Sequence, residues 1–140
     1  MTDKLKKAYI SGPYSAPTPW ETEINIMAAR IIAAELFRRG YSVFCPHSNS
    51  SHMDGVVDYD HFIQADLEWV DICDELYVFG DWKQSPGSYK EVQRAVSKFI
   101  PVYNIEFNFS SKYCSIEFII ENIFVSCVEY INKKESEKND

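Results

Sequence analysis

The chain has 140 residues, 46% of them hydrophobic and 25% charged, proportions that suit one globular domain with a single core. Fourteen Lys and Arg against 21 Asp and Glu leave a net charge of −7, which argues against a partner with a phosphate backbone, so no nucleic acid is expected. No stretch is apolar enough to span a membrane, MTDKLKK has no apolar signal core behind it, and Cys45, Cys73, Cys114 and Cys127 lie scattered, mostly in apolar stretches; a cytoplasmic protein with reduced core cysteines is expected.

Taken in order, AYISG (8–12) reads as a short buried strand ending in glycine. Thr18-Pro19-Trp20-Glu21 supplies an N-cap, a proline at N1 and a glutamate at N3, and Ile24, Met27, Ala28 and Ile31 continue at helical spacing until Gly40. YSVFCP (41–46) is a second strand, and the polar segment from His47 to Asp58 a loop. A helix over about 59–72, the strand ELYVFG (75–80), a helix over about 86–98 and the strand IPVYNI (100–105) follow. Phe118, Ile119, Ile123, Phe124, Cys127, Val128 and Ile131 form an apolar stripe that predicts a last helix over 115–132, most of it core but broad enough for a dimer interface, with a charged tail at about 133–140.

Strands separated by helices predict one domain over 1–140. It is a doubly wound α/β fold, flavodoxin-like or Rossmann-like, with a four- or five-stranded, mostly parallel sheet and helices on both faces. Ligands in such folds bind beyond the carboxyl ends of the strands. SGPYSAP, CPHSNSSHMDG and GDWKQSPGS leave those ends, so the site is expected among them.

Asp66 has Phe62, Ile63, Trp69 and Val70 at its helical neighbour positions, a placement that predicts poor solvation and a raised pKa. It is either a buried acceptor that holds a loop or a proton donor. Glu91 has two readings as well. Ser88-Tyr89-Lys90-Glu91 fits a capping box. Ser85-Pro86 is an equally good helix start, and it would leave Glu91 free to face the strand ends. Tyr14, Trp20 and Trp82 lie on the site loops and could stack on a base or simply cover the core. Cys45, His47, His52 and His61 lack the pairing of a metal site, and no metal or cofactor is expected.

Tyr9-Ile10-Ser11-Gly12, then Asp66-Leu67-Glu68-Trp69 with Asp74, then Ser85-x-Gly87-x-x-x-Glu91 occur in order and at suitable spacing. Over roughly residues 7–104 this resembles the nucleoside 2-deoxyribosyltransferase superfamily, and in motif most closely the 2′-deoxynucleoside 5′-monophosphate N-hydrolases. The resemblance implies cleavage or transfer of an N-glycosidic bond. Glu91 would form a glycosyl-enzyme intermediate, Asp66 would assist departure of the base, and Tyr9 would hydrogen-bond the nucleophilic carboxylate. Ser85 matches the serine of the monophosphate hydrolases, although GPYSAPTPW lacks the arginine that some of them carry in the first loop.

The expected partner is a small nucleoside or nucleotide, and the chain is expected to form a homodimer or higher homo-oligomer. The expected substrate-binding residues are Gly12, Pro13, Tyr14, His47, Trp82, Ser85, Gly87 and Ser88. The start of the third helix would cradle a phosphate, which predicts preference for a 5′-monophosphate. The competing class is a module that senses a nucleotide through the same pocket without turnover.

Overall fold

The computed structural model describes residues 3–110, 112 and 115–138. Ten elements follow in order: β1 (Lys7–Ser11), α1 (Pro19–Arg38), β2 (Ser42–Phe44), α2 (Pro46–Ser50), α3 (Tyr59–Val70), β3 (Glu75–Val78), α4 (Pro86–Ser97), β4 (Val102–Ser110), β5 (Ser115–Asn122) and α5 (Phe124–Lys138). They make one α/β domain around a five-stranded sheet of order β2-β1-β3-β4-β5. The first four strands in this order are parallel, and β5 runs antiparallel to β4. The order reverses beside β1, so the crevice of such a fold opens past the ends of β1 and β3.

Period-two alternation sorts the strand side chains between two cores. Ala8 and Ile10 of β1, with Tyr77 of β3, pack against Ala29, Ile32, Ala33 and Leu36 of α1. Tyr9, Leu76, Val78 and Val102 face the opposite way, against Val70 of α3, Val92 and Ala95 of α4, and Cys127 and Ile131 of α5. Helices therefore cover both faces. The start of α1 is the capping box expected from its sequence, with Thr18 accepting from the Glu21 backbone and Glu21 reaching back to that of Thr18.

Three expectations need correction. Residues 115–122 are strand β5, which pairs with a β4 that continues to Ser110. The helical stripe over this stretch overlapped a period-two pattern: Ile116, Phe118 and Ile120 share one face and pair with Phe109, Phe107 and Ile105. Only the later part of the stripe, with Cys127 and Ile131 buried, is helical, and that helix runs through the charged tail to Lys138. The segment expected to be loop opens with the short helix α2 before turning at 51–58. Cys114 lies outside the described residues.

Candidate active site

Ser85 is the N-cap of α4, with Pro86 at N1, and its own side chain makes no capping bond. Glu91 therefore stands in the second turn of the helix, beyond capping range. The capping-box alternative for Ser88 and Glu91 is not formed. Helical spacing puts Ser88 and Glu91, three residues apart, on the face of α4 that packs under β1. Strand alternation turns Tyr9 and Ser11, two residues apart, down toward the same place.

The four side chains meet. The Tyr9 hydroxyl donates to Oε2 of Glu91, and the Ser11 hydroxyl donates to Oε1 at 2.9 Å. The Oγ atoms of Ser11 and Ser88 are 2.7 Å apart. Tyr9, Ser11, Ser88 and Glu91 are all buried. The Tyr9 ring is fixed from behind by Phe44, at 5.6 Å between centroids, and Phe44 stacks in turn on Trp69 at 4.6 Å. Burial pushes the Glu91 carboxyl up to about 8, opposed by the bonds from Tyr9 and Ser11 and assisted by the nearby charge of Asp66. Burial likewise raises Asp66 to about 6. The Tyr9 hydroxyl is held well above its usual range by burial first, then by Glu91 and Asp66, so it stays a donor.

A cavity of about 540 Å³ opens beside this cluster, a size that suits a small organic ligand. Glu91, Asp66, Ser85, Gly87 and Ser88 line it, as do Gly12, Pro13, Tyr14 and His47. Tyr59, Phe62 and Ile63 supply an apolar wall from α3. The other carboxylates on the wall are Asp54 and Asp81, and no lining residue is Lys or Arg.

Close approach explains two glycines. A Cβ on Gly12 would collide with the Phe79 ring, and one on Gly87 would come within 3.2 Å of the Ile63 side chain and 3.3 Å of the Tyr59 hydroxyl. The mouth loop is tied down by Tyr14, whose hydroxyl donates to Asp54 at 3.0 Å and accepts from the His52 backbone at 2.9 Å. His47 is 2.8 Å from the Pro13 carbonyl, which only accepts, so its Nε2 carries the hydrogen and Nδ1 is a lone-pair acceptor without a partner. Burial lowers the pKa of His47, consistent with a neutral ring.

Trp82 is not among the residues that line the cavity. It is buried against Tyr89 and Tyr130, because the chain turns after Gly80 and drives the indole under α5. Trp20 points to solvent from the start of α1, 68% exposed. Asp74 accepts from the Lys7 backbone at 2.7 Å, a structural tie between β1 and the approach to β3. His52 pairs with Glu23 instead of with the other histidines, and no grouping among the described residues could hold a metal ion. Sequence reasoning gave no site role to Ser11 or to the α3 wall. A serine two residues from Tyr9 in an otherwise apolar buried strand was the available signal for the first.

Residues 6–105 match a family model described as a domain of unknown function, DUF7768. The chain belongs to that family. The matched span holds β1 through the start of β4, and with them every residue of the cavity wall. Nothing among the curated proteins matches.

Among solved structures, a conserved protein from Enterococcus faecalis V583 shares the fold at a TM-score of 0.52 and 20% identity, over 71% of this chain and 62% of that one. A 2-deoxyribosyltransferase from Bacillus psychrosaccharolyticus does so at 0.51 and 20%, over 69% of each chain. The DUF7768 chain thus spans 62% of the length of the first of these. At such identities the likeness is one of fold. No helix among the described residues is long and apolar enough to cross a membrane.

Proposed function

We propose that this chain cleaves or transfers the N-glycosidic bond of a nucleoside, with Glu91 as the nucleophile. The observation that carries the reading is a buried carboxylate, held on both oxygens by hydroxyl donors, on the wall of a cavity that it shares with a second carboxylate of raised pKa. The fold likeness to a 2-deoxyribosyltransferase supports the same chemistry.

An oxygen of Glu91 bonds to the anomeric carbon as the bond from that carbon to the base nitrogen breaks. The electron pair leaves with the base, and Asp66 protonates or positions it, a role that suits a carboxylic acid raised to about 6. Tyr9 and Ser11 hold the attacking group in one rotamer, so little orientational freedom remains to be lost in the transition state. In the second half, an acceptor attacks the anomeric carbon, the ester bond to Glu91 breaks, and Asp66 takes the acceptor's proton. Water as acceptor gives hydrolysis, and a second base gives transfer.

The cavity's charge bears on the substrate. Four carboxylates line it without a Lys or Arg. Two unit charges about 6 Å apart repel by roughly 3 kcal/mol at the effective dielectric of a protein surface. That equals or exceeds what one charge-assisted hydrogen bond from Ser85 would return, about 1.5–3 kcal/mol. An uncharged nucleoside fits this wall better than its 5′-monophosphate.

The test incubates the pure protein with nucleosides and their 5′-monophosphates, with and without a second free base, and follows base release and exchange by chromatography. A 2-fluoro sugar analogue should leave a covalent mass increase on the peptide that contains Glu91. Binding with neither release nor exchange from any substrate would end the reading and leave a nucleoside-binding module.

A further inference from the structure

Ser11 does not line the cavity, and neither the mechanism above nor the sequence motifs need it beyond a hydrogen bond. Ser88 lines the cavity and is buried. Between them the two hydroxyls form a continuous path from Oε1 of Glu91 to the cavity wall, with steps of 2.9 and 2.7 Å. The path has a defined direction. An ionised carboxylate only accepts, so Ser11 spends its one hydrogen on Glu91, and Ser88 must then donate to Ser11. When Oε1 is protonated, every step can reverse: Glu91 donates to Ser11, Ser11 to Ser88, and Ser88 offers its hydrogen to the cavity.

We propose that Ser11 and Ser88 are a hydroxyl relay that positions Glu91 and passes its proton to the cavity; this rests on the nucleophile reading above. The proton on Oε1 moves to Ser11 Oγ while the Ser11 proton moves to Ser88 Oγ. The Ser88 proton leaves through cavity water to the carboxylate of Asp66, the other raised acid on the wall. One proton is lost by Glu91 and one is gained by Asp66, with nothing oxidised or reduced. The result is the pair that the reaction needs, an ionised nucleophile beside a protonated acid. Tyr9 cannot serve as this path, because its ring is fully buried and its hydroxyl is held as a donor.

The titratable groups that face Glu91 are Tyr9 from β1, and Asp66 and Tyr59 from α3, with Asp54, Asp81, Tyr14 and His47, its ring kept neutral by burial, further along the wall. All are neutral or acidic. Only the hydroxyl donors favour the ionised form, so removing one has a signed consequence.

The experiment follows the Glu91 side-chain carboxyl by carbon NMR against pH in wild type, Ser11→Ala, Ser88→Ala and Ser11→Thr, beside the pH profile of kcat/KM for base release. Losing the Ser11 donor should raise the Glu91 midpoint by about one pH unit, and losing Ser88 should raise it by less. Because Asp66 titrates below Glu91, kcat/KM at and below neutral pH should fall, and the alkaline break rise, in step with the midpoint in each variant, with KM little changed in Ser11→Ala, and Ser11→Thr should restore these. Ser88 sits in the first turn of a helix, where alanine is well tolerated, so Ser88→Ala decides the matter even if Ser11→Ala does not fold. An unchanged midpoint in Ser88→Ala overturns the relay. Shifted midpoints without base release by wild type would keep the relay and remove the nucleophile. Normal turnover with unshifted midpoints would do the reverse.

Discussion

Burial under β1 lifts the Glu91 carboxyl from its ordinary 4.5 to about 8, and the fold bears a cost for it. In the unfolded chain the group ionises near 4.5; in the folded protein it keeps its proton up to about 8. Between these values the unfolded state is favoured by proton release, so this group's contribution to stability is greatest below pH 4.5 and falls as pH rises to 8. At pH 7 the loss is about 3 kcal/mol, from 2.5 decades at 1.36 kcal/mol each. Glutamine at this position is neutral at every pH and removes that loss. It gives back about 1 kcal/mol, because its oxygen still accepts from one of the Tyr9 and Ser11 hydroxyls but its NH2 group meets the other, which must turn to accept. Glu91→Gln should therefore abolish turnover and still gain about 2 kcal/mol at pH 7, a rise of roughly 5–10 °C in Tm for a chain of this size. Thermal melts of both proteins from pH 4 to 8.5 measure it. The advantage should grow with pH and vanish or change sign near pH 4. A difference that stays flat across the range, or a variant less stable than wild type at pH 8, would refute the reasoning.

Asp66→Asn should slow base release most for bases that are poor leaving groups; equal losses across all bases, with a lowered Tm, would make Asp66 structural. The kcat/KM for a nucleoside should exceed that for its 5′-monophosphate by about tenfold or more, with Ser85→Ala changing either only slightly, as steady-state assays of the four combinations would reveal. With Asp66 raised to about 6 and Glu91 to about 8, kcat/KM should trace a bell centred near pH 7, falling below as Glu91 gains a proton and above as Asp66 loses one; a plateau from pH 5 to 9 would separate the rate from this pair.

The sheet, its parallel strands and the helices on both faces were legible because every element from Lys7 to Val102 except the short α2 carried its own period and stops, such as the Thr18 capping box and Gly40 after α1. β5 was not, because SIEFIIEN holds apolar residues at both helical and strand spacing. The antiparallel pairing with β4 that decides between them is a non-local contact. Asp66 was visible through its apolar helical neighbours, since a carboxylate on such a stripe must be poorly solvated wherever the helix packs. Ser85 against Ser88 as the N-cap could not be separated by sequence, because both precede acceptable first turns; the packing of α4 under β1 chooses Ser85. Trp82 was misjudged for a simpler reason. Position on a loop at the strand ends does not say which way an indole turns, and here the core under α5 takes it.

Burial raises both carboxylates, and no cation on the cavity wall offsets it; that lack also bears on the ligand. A cation at the cavity wall would bind a phosphate, but it would also pull Asp66 and Glu91 down toward the ordinary carboxylate range. Asp66, already mostly ionised at pH 7 with a value of about 6, would then lose the protonated fraction that can serve a leaving base. A lysine or arginine in the first loop, near Pro13 or Ser15, would therefore be expected to improve monophosphate binding and to move the pH optimum down together. In this cavity, lined by Asp54, Asp66, Asp81 and Glu91 without Lys or Arg, preference for a neutral ligand and the retention of a raised acid both depend on the lack of a cation.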